Sequence, residues 1–186
     1  MGTLFLNFAA CSKKAPECGG MGSQSTVSSA SWRDVLTAEL PLLGHRNWIV
    51  VTDMAYPLQT GAGIETVDTG EDYMSVLEFV YRETEKAPHV KAIVYQDREL
   101  TYLREKDVPG IDALRGRMQA LLGDKRTFVP HEELIDRLDE TGRKFHVVIL
   151  KSTLTVPYTS AFFELDCNYW DGGRENALRR AMADGD

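Results

Sequence analysis

Three cysteines, Cys11, Cys18 and Cys167, are all that this chain of 186 residues contains. An odd number cannot pair completely within one chain, and no C-x-x-C spacing occurs. Neither a disulfide scaffold nor a structural zinc site is therefore encoded. A Cys11–Cys18 bridge would close only a short N-terminal loop. Long apolar runs are also missing, and none approaches the ~20 residues that cross a bilayer as a helix. There is no block of Lys and Arg, and the net charge is -7. That balance argues against a nucleic-acid backbone as the partner. No G-x-G-x-x-G or P-loop stands behind nucleotide binding, and no G-x-S-x-G behind serine-hydrolase chemistry. No H-x-x-x-H pair points to a metal.

What is present suffices for one ordinary core: 43% of the residues are hydrophobic and 26% charged, as in soluble globular domains. Residues 1–30 read as a flexible tail and residues 31–186 as the folded domain. Lys13 to Ser31 is rich in Gly, Ser and Thr, with Pro16, Gly19, Gly20 and Gly22, the composition of a linker. Ahead of it, Thr3-Leu4-Phe5-Leu6 leads through Ala9-Ala10 to Cys11. This short apolar run resembles the end of a bacterial lipoprotein signal, although the basic n-region of a complete signal is missing. The resemblance implies lipid on Cys11, a periplasmic or membrane-anchored location, and membrane contact through that anchor alone. The alternative is a cytoplasmic protein whose tail carries a chance cysteine.

Folding is expected to begin at Ser31-Trp32-Arg33-Asp34, a capping-box pattern, with Leu36, Leu40 and Leu43 at helical spacing. Trp48–Thr52 is an apolar run bounded by polar residues, the pattern of a buried strand in a parallel sheet. Ile64–Val67 reads as a short strand. Glu71-Asp72 opens a helix over Tyr73, Val76, Leu77 and Val80 that Pro88 stops. Strand Val90–Tyr95 follows, then a helix from Pro109 to Leu122 ended by Gly123, then strand Arg126–Val129. Pro130 is placed at the first position of the next helix, which runs to Gly142. Strands Phe145–Leu150 and Ala161–Leu165 and a terminal helix from Gly173 complete the chain. Alternating strands and helices predict an α/β domain with a mostly parallel sheet and helices on both faces.

Asp53 follows the strand Trp48–Thr52, at the carboxyl edge where α/β sheets bind ligands. A bland role is also open to it, since Asp caps tight turns. His45, after Gly44, enters the same strand and can exchange protons near neutral pH. His131 falls in the first turn of a helix, whose positive end disfavours imidazolium, so a neutral ring is expected. His89 and His146 read as structural or exposed. Pro157-Tyr158-Thr159-Ser160 is a turn between strands.

Taken together, Leu43-Gly44-His45, the apolar strand, Asp53 and Pro57, then Arg126-Thr127-Phe128 with His131-Glu132-Glu133, then Val156-Pro157-Tyr158, resemble the D-ribose pyranase and L-fucose mutarotase family. The resemblance covers Val35 to Leu165. It implies that His45 is the catalytic proton donor and that Asp53, His131 and Tyr158 contact a monosaccharide. Ser160 stands where the family usually has Asn; its hydroxyl is shorter and lacks the paired geometry of an amide. The implied chemistry is opening and reclosing of a reducing sugar such as ribose or fucose, with no metal or redox cofactor. The implied assembly is a ring of identical subunits, a pentamer or decamer, with sites at interfaces. Geometry agrees with that implication. The five residues Trp48–Thr52 span about 17 Å when extended, so one sugar reaches both His45 and Asp53 only if the loop at 46–48 folds back or two subunits share the site. The competing expectation is a sugar-binding module of the same fold with weak catalysis, tethered by lipid.

A chain beginning at Ser31 should melt at the temperature of the full chain, because residues 1–30 lack the periodic apolar positions that build a core. A large fall in melting temperature on removing them would show that they pack against the domain.

Overall fold

The structure, a computed structural model, describes residues 31–185. The expected tail and Cys11 lie outside the described residues. Ser31 caps helix α1 (Trp32–Glu39): its side chain accepts from the Asp34 N–H while the Asp34 carboxylate accepts from the Ser31 N–H, the reciprocal capping box that the sequence predicts. That helix does not continue α-helical to Leu43. Pro41 has no N–H to give, and the chain tightens into a 3₁₀ turn at Leu40–Leu42.

The remaining elements are β1 (Trp48–Thr52), β2 (Ile64–Asp68), α2 (Tyr73–Lys86), β3 (Val90–Asp97), α3 (Ile111–Leu122), β4 (Arg126–Val129), α4 (His131–Gly142), β5 (Val147–Lys151), β6 (Ala161–Cys167) and α5 (Gly172–Asp184). The strands form one sheet in the order β2-β5-β1-β6-β3-β4. β5 is parallel to β1 and β2, and β3 is parallel to β4, whereas β6 is antiparallel to both of its neighbours, β1 and β3. The sheet is thus mostly parallel, with one reversed strand inside it.

Side chains alternate across a strand, and both faces of this sheet are covered. Ile49, Val51, Leu150 and Phe163 belong to the core shared with Leu36 of α1, Leu77 of α2 and Met118 of α3. Trp48, Val50, Ile149 and Phe162 face Leu134 and Leu138 of α4. Every residue of β1 is buried, which is why its sequence is a continuous apolar run rather than an alternating one. Helix α5 buries none of its residues.

Several boundaries depart from the sequence expectation, among them the starts of α4 and β5. Pro130 is the N-cap of α4, not its first helical residue; its backbone is extended, with φ -53° and ψ 139°, and His131 takes the first helical position. Strand β5 starts at Val147 instead of Phe145, because the N–H groups of Lys144 and Phe145 bond back to the Thr141 carbonyl and close the end of α4.

Gly63 shows where backbone crowding selects the residue. Its N–H donates to the Gly142 carbonyl and its own carbonyl accepts from Val147, both at 2.9 Å. A Cβ there would stand 2.5 Å from the Phe145 carbonyl oxygen and 2.6 Å from that of Gly142. Gly116, exposed within α3, has nothing within 4 Å of a Cβ. Gly63→Ala should therefore lower the unfolding free energy, while Gly116→Ala should raise it by about 0.5–1 kcal/mol through helix propensity. Urea melts of the two variants check both signs.

Candidate functional site

The reversed strand brings three polar residues into one row. Ala161 of β6 is in register with Val51 of β1 and with Gln96 of β3. The next residues outward, Thr52, Ser160 and Asp97, therefore stand side by side at the carboxyl edge of the parallel strands. They are 0%, 1% and 0% exposed. Thr52 Oγ1, Ser160 Oγ and Asp97 Oδ2 have no hydrogen-bond partner among the described residues. By strand alternation all three share the face of Val50, Phe162 and Tyr95, the face that α4 covers. Each buried polar atom left unpaired costs about 1–3 kcal/mol, so this row carries unmet hydrogen-bonding capacity.

His131 opens α4 directly beside that row. Its Nδ1 lies 2.9 Å from Asp97 Oδ1. Its backbone N–H donates to both oxygens of Glu99, at 3.2 and 3.1 Å. The Tyr158 ring meets the imidazole edge to face with centroids 5.4 Å apart, and Tyr56 does so at 6.4 Å. The hydrogen bond to Asp97 holds the His131 ring above the usual imidazole pKa. The shift runs opposite to the downward one expected from the helix end. Glu99 already occupies that end, and Asp97 contributes a full charge at contact distance where the helix contributes a partial one. Burial pushes the Asp97 carboxyl up, and the bond from His131 partly reverses that shift. Burial also pushes the Tyr56 phenol above its ordinary range, so it stays protonated.

Asp53, 7% exposed, stands at the same edge, immediately after β1. One of its oxygens is used locally: Oδ1 accepts from the Ala55 N–H at 2.8 Å, the turn-capping role open to it from sequence. Tyr158 has φ 57°, in the left-handed region, and the turn around it is pinned from beneath. The buried Tyr73 hydroxyl of α2 donates to the Thr159 carbonyl, and Thr159 Oγ1 donates to the Val156 carbonyl at 2.9 Å. The loop after β1 is held as well: Lys151 Nζ donates to the Tyr56 carbonyl and Ser152 Oγ to the Thr52 carbonyl, each at 2.7 Å.

His45 is elsewhere. It precedes β1 at the amino edge, where Nδ1 lies 2.9 Å from Asp166 Oδ1, and Lys91 Nζ is 3.3 Å from the other oxygen of that carboxylate. Its side chain is 56% exposed. A cavity of about 480 Å³ adjoins it, lined by His45, Arg46, Trp48, Arg137, Lys144 and Glu164 among others. Within one chain, then, Asp53, His131, Tyr158 and Ser160 share an edge, and His45 stands at the other end of β1. His89 is structural as expected, its Nε2 lying 3.2 and 2.9 Å from the carbonyls of Leu40 and Leu43. Among the described residues, Glu39, Glu65 and His146 could together hold a metal ion, with ligand atoms within 4.8 Å of one another. They include none of the sequence-predicted site residues.

Sequence reasoning missed Asp97, Glu99 and Thr52. The signal for Asp97 was the one that singled out Asp53, an acidic residue closing a parallel strand.

No family model matches the chain, and no curated protein matches its sequence. Solved structures match it in three dimensions. RbsD of Bacillus subtilis, complexed with D-ribose, aligns with a TM-score of 0.52 at 14% identity, over 82% of this chain and 98% of that one. The fucose mutarotase of Streptococcus pneumoniae, in complex with L-fucose, gives 0.49 at 15% identity over 71% and 91%. FucU from Bifidobacterium longum gives 0.47 at 15% identity over 71% and 93%. At such identities the likeness is one of architecture, and this chain has the RbsD-like fold.

Proposed function

We propose that this protein interconverts the ring forms or anomers of a reducing monosaccharide, such as ribose or fucose, by acid–base-assisted ring opening. The observation that carries the proposal is the row of buried, unpartnered oxygens on Thr52, Ser160 and Asp97 beside His131. A polyhydroxylated ligand would dock on His131 and Tyr158, the groups of this edge that solvent reaches, at 21% and 38% exposure. The likeness of fold to RbsD, whose structure holds D-ribose, supports the same class of ligand. In this reading Asp53, His131, Tyr158 and Ser160 hold the sugar, and His45 carries a proton to the ring oxygen. Because His45 and Asp53 lie at opposite ends of β1, the complete site takes His45 from a neighbouring copy in a ring-like homo-oligomer.

A second reading, sugar binding with little turnover, has its own supporting observations. His45 is engaged by Asp166 at 2.9 Å, and Ser160 offers a hydroxyl where an amide is expected from the family resemblance.

Saturation-transfer NMR on a panel of reducing sugars separates the two, since it reads anomer exchange with no assumed product. Wild type should accelerate exchange. His45→Ala should abolish the acceleration and leave sugar binding intact, because it removes a proton carrier without emptying the pocket. Tyr158→Phe should weaken binding by about 0.5–1.5 kcal/mol, the worth of one hydrogen bond. Binding without exchange in wild type establishes the second reading. A monomeric mass by light scattering at micromolar concentration would refute the shared site.

A further inference from the structure

Opening a sugar ring moves two protons: one goes onto the ring oxygen and one leaves the anomeric hydroxyl. His45 supplies the first in the reading above, and the second needs a base. We infer that His131 is that base, with Asp97 as the residue that positions it; the inference rests on the ring-opening reading.

The geometry is that of an oriented imidazole. Asp97 Oδ1 takes the Nδ1 side of the ring at 2.9 Å, which leaves the lone pair on Nε2, the nitrogen with no partner among the described residues. A fully buried carboxylate behind a histidine fixes the tautomer and stabilises the imidazolium that forms as the base takes its proton. Glu99 fixes the backbone of His131, and the Tyr158 and Tyr56 rings border the imidazole. The side chain of His131 remains 21% open to solvent.

The step balances within the sugar. His131 Nε2 takes the anomeric O–H proton, and that O–H bonding pair becomes the second bond of the carbonyl. The bond from the anomeric carbon to the ring oxygen breaks, its electrons stay on the ring oxygen, and the neighbouring copy's imidazolium at position 45 protonates it. Reclosure runs the same transfers backwards, and attack on the other carbonyl face gives the other anomer. Nothing is oxidised or reduced.

The charged and titratable groups facing His131 are Asp97 at the end of β3, Glu99 in the 3₁₀ turn that follows it, Glu132 from its own helix, Tyr56 after β1 and Tyr158 before β6. All three carboxylates act in one direction, favouring the imidazolium. A base must be unprotonated before it acts, so activity should rise with pH as His131 loses its proton. Removing the charge of Asp97 should lower the pH at which this happens and weaken the base.

The test pairs anomer exchange across pH with NMR titration of the His131 ring in the full chain. His131→Asn, whose amide keeps a hydrogen-bonding group toward the sugar, should lose about a hundredfold in kcat with a much smaller rise in KM, and imidazole added to His131→Gly should restore part of the rate. In Asp97→Asn, which is nearly isosteric, the His131 titration and the acidic limb of the rate profile should move together to lower pH, with kcat reduced. Circular dichroism confirms that each variant is folded. If Asp97→Asn does not fold, the His131 variants and the imidazole rescue decide alone. Full kcat in His131→Asn, or a loss confined to KM, overturns the role of His131 and leaves the ring-opening reading standing. A wild type that accelerates no exchange overturns both.

Discussion

Strand β6 lies between β1 and β3 and runs against both of them. Its first residues consequently stand where the parallel strands end, and its last residues where they begin. Ser160 falls between Thr52 and Asp97, and Asp166 reaches the edge that carries His45. A parallel strand in that slot would have set the Asp166 end beside Thr52 and sent Ser160 to the opposite edge. The candidate site therefore depends on one pairing direction. Within that strand Ala161, Phe162, Phe163 and Leu165 are each 0% exposed.

Asp97 occupies the least forgiving position at that edge. A carboxylate with no exposed surface requires a donor or a cation, and His131 is delivered to it by the first turn of α4. The pair brings the helix no large gain in stability, because both partners are desolvated to form it. Loss of either partner alone would be far more damaging, since a buried charge would be left uncompensated. Such an arrangement, with one oxygen still unpaired, is typical of a functional site more than of a structural tie. Glu99 accepts from the backbone N–H of His131, and the helix end and the ring are thereby held by two acidic residues from one segment.

Much of the fold was legible in local patterns. The Ser31 capping box, the apolar run at Trp48–Thr52 and the stop at Gly123, with φ 64°, each express a preference that few neighbours can override. Asp53 was legible because it closes an apolar run. Asp97 closes a strand in the same way, yet the expected strand stopped at Tyr95, because Gln96 and Asp97 are polar and resemble a loop. Both are 0% exposed. Gln96 is tolerated because its side-chain carbonyl accepts from Arg126 Nη1 at 2.6 Å, and Asp97 because of His131. Hydrophobicity cannot report a buried polar residue whose partner lies some thirty positions away. The direction in which the His131 pKa moves was misjudged for a related reason: the helix end is visible in the sequence, but the carboxylate that outweighs it is not.

The sequence by itself determined the succession of strands and helices, their amphipathic faces and the α/β class, because periodicity, caps and turn residues act over a few positions. It also limited how His45 and Asp53 can meet, to a loop at 46–48 that folds back or a site shared by two subunits, since the residues between them form an extended strand of fixed rise per residue. Only the tertiary structure decided the strand order, the reversal of β6 and the meeting of Thr52, Ser160, Asp97 and His131. Those contacts join segments far apart in the chain. Their register is chosen by the packing of whole faces against one another and not by any property of the residues that meet.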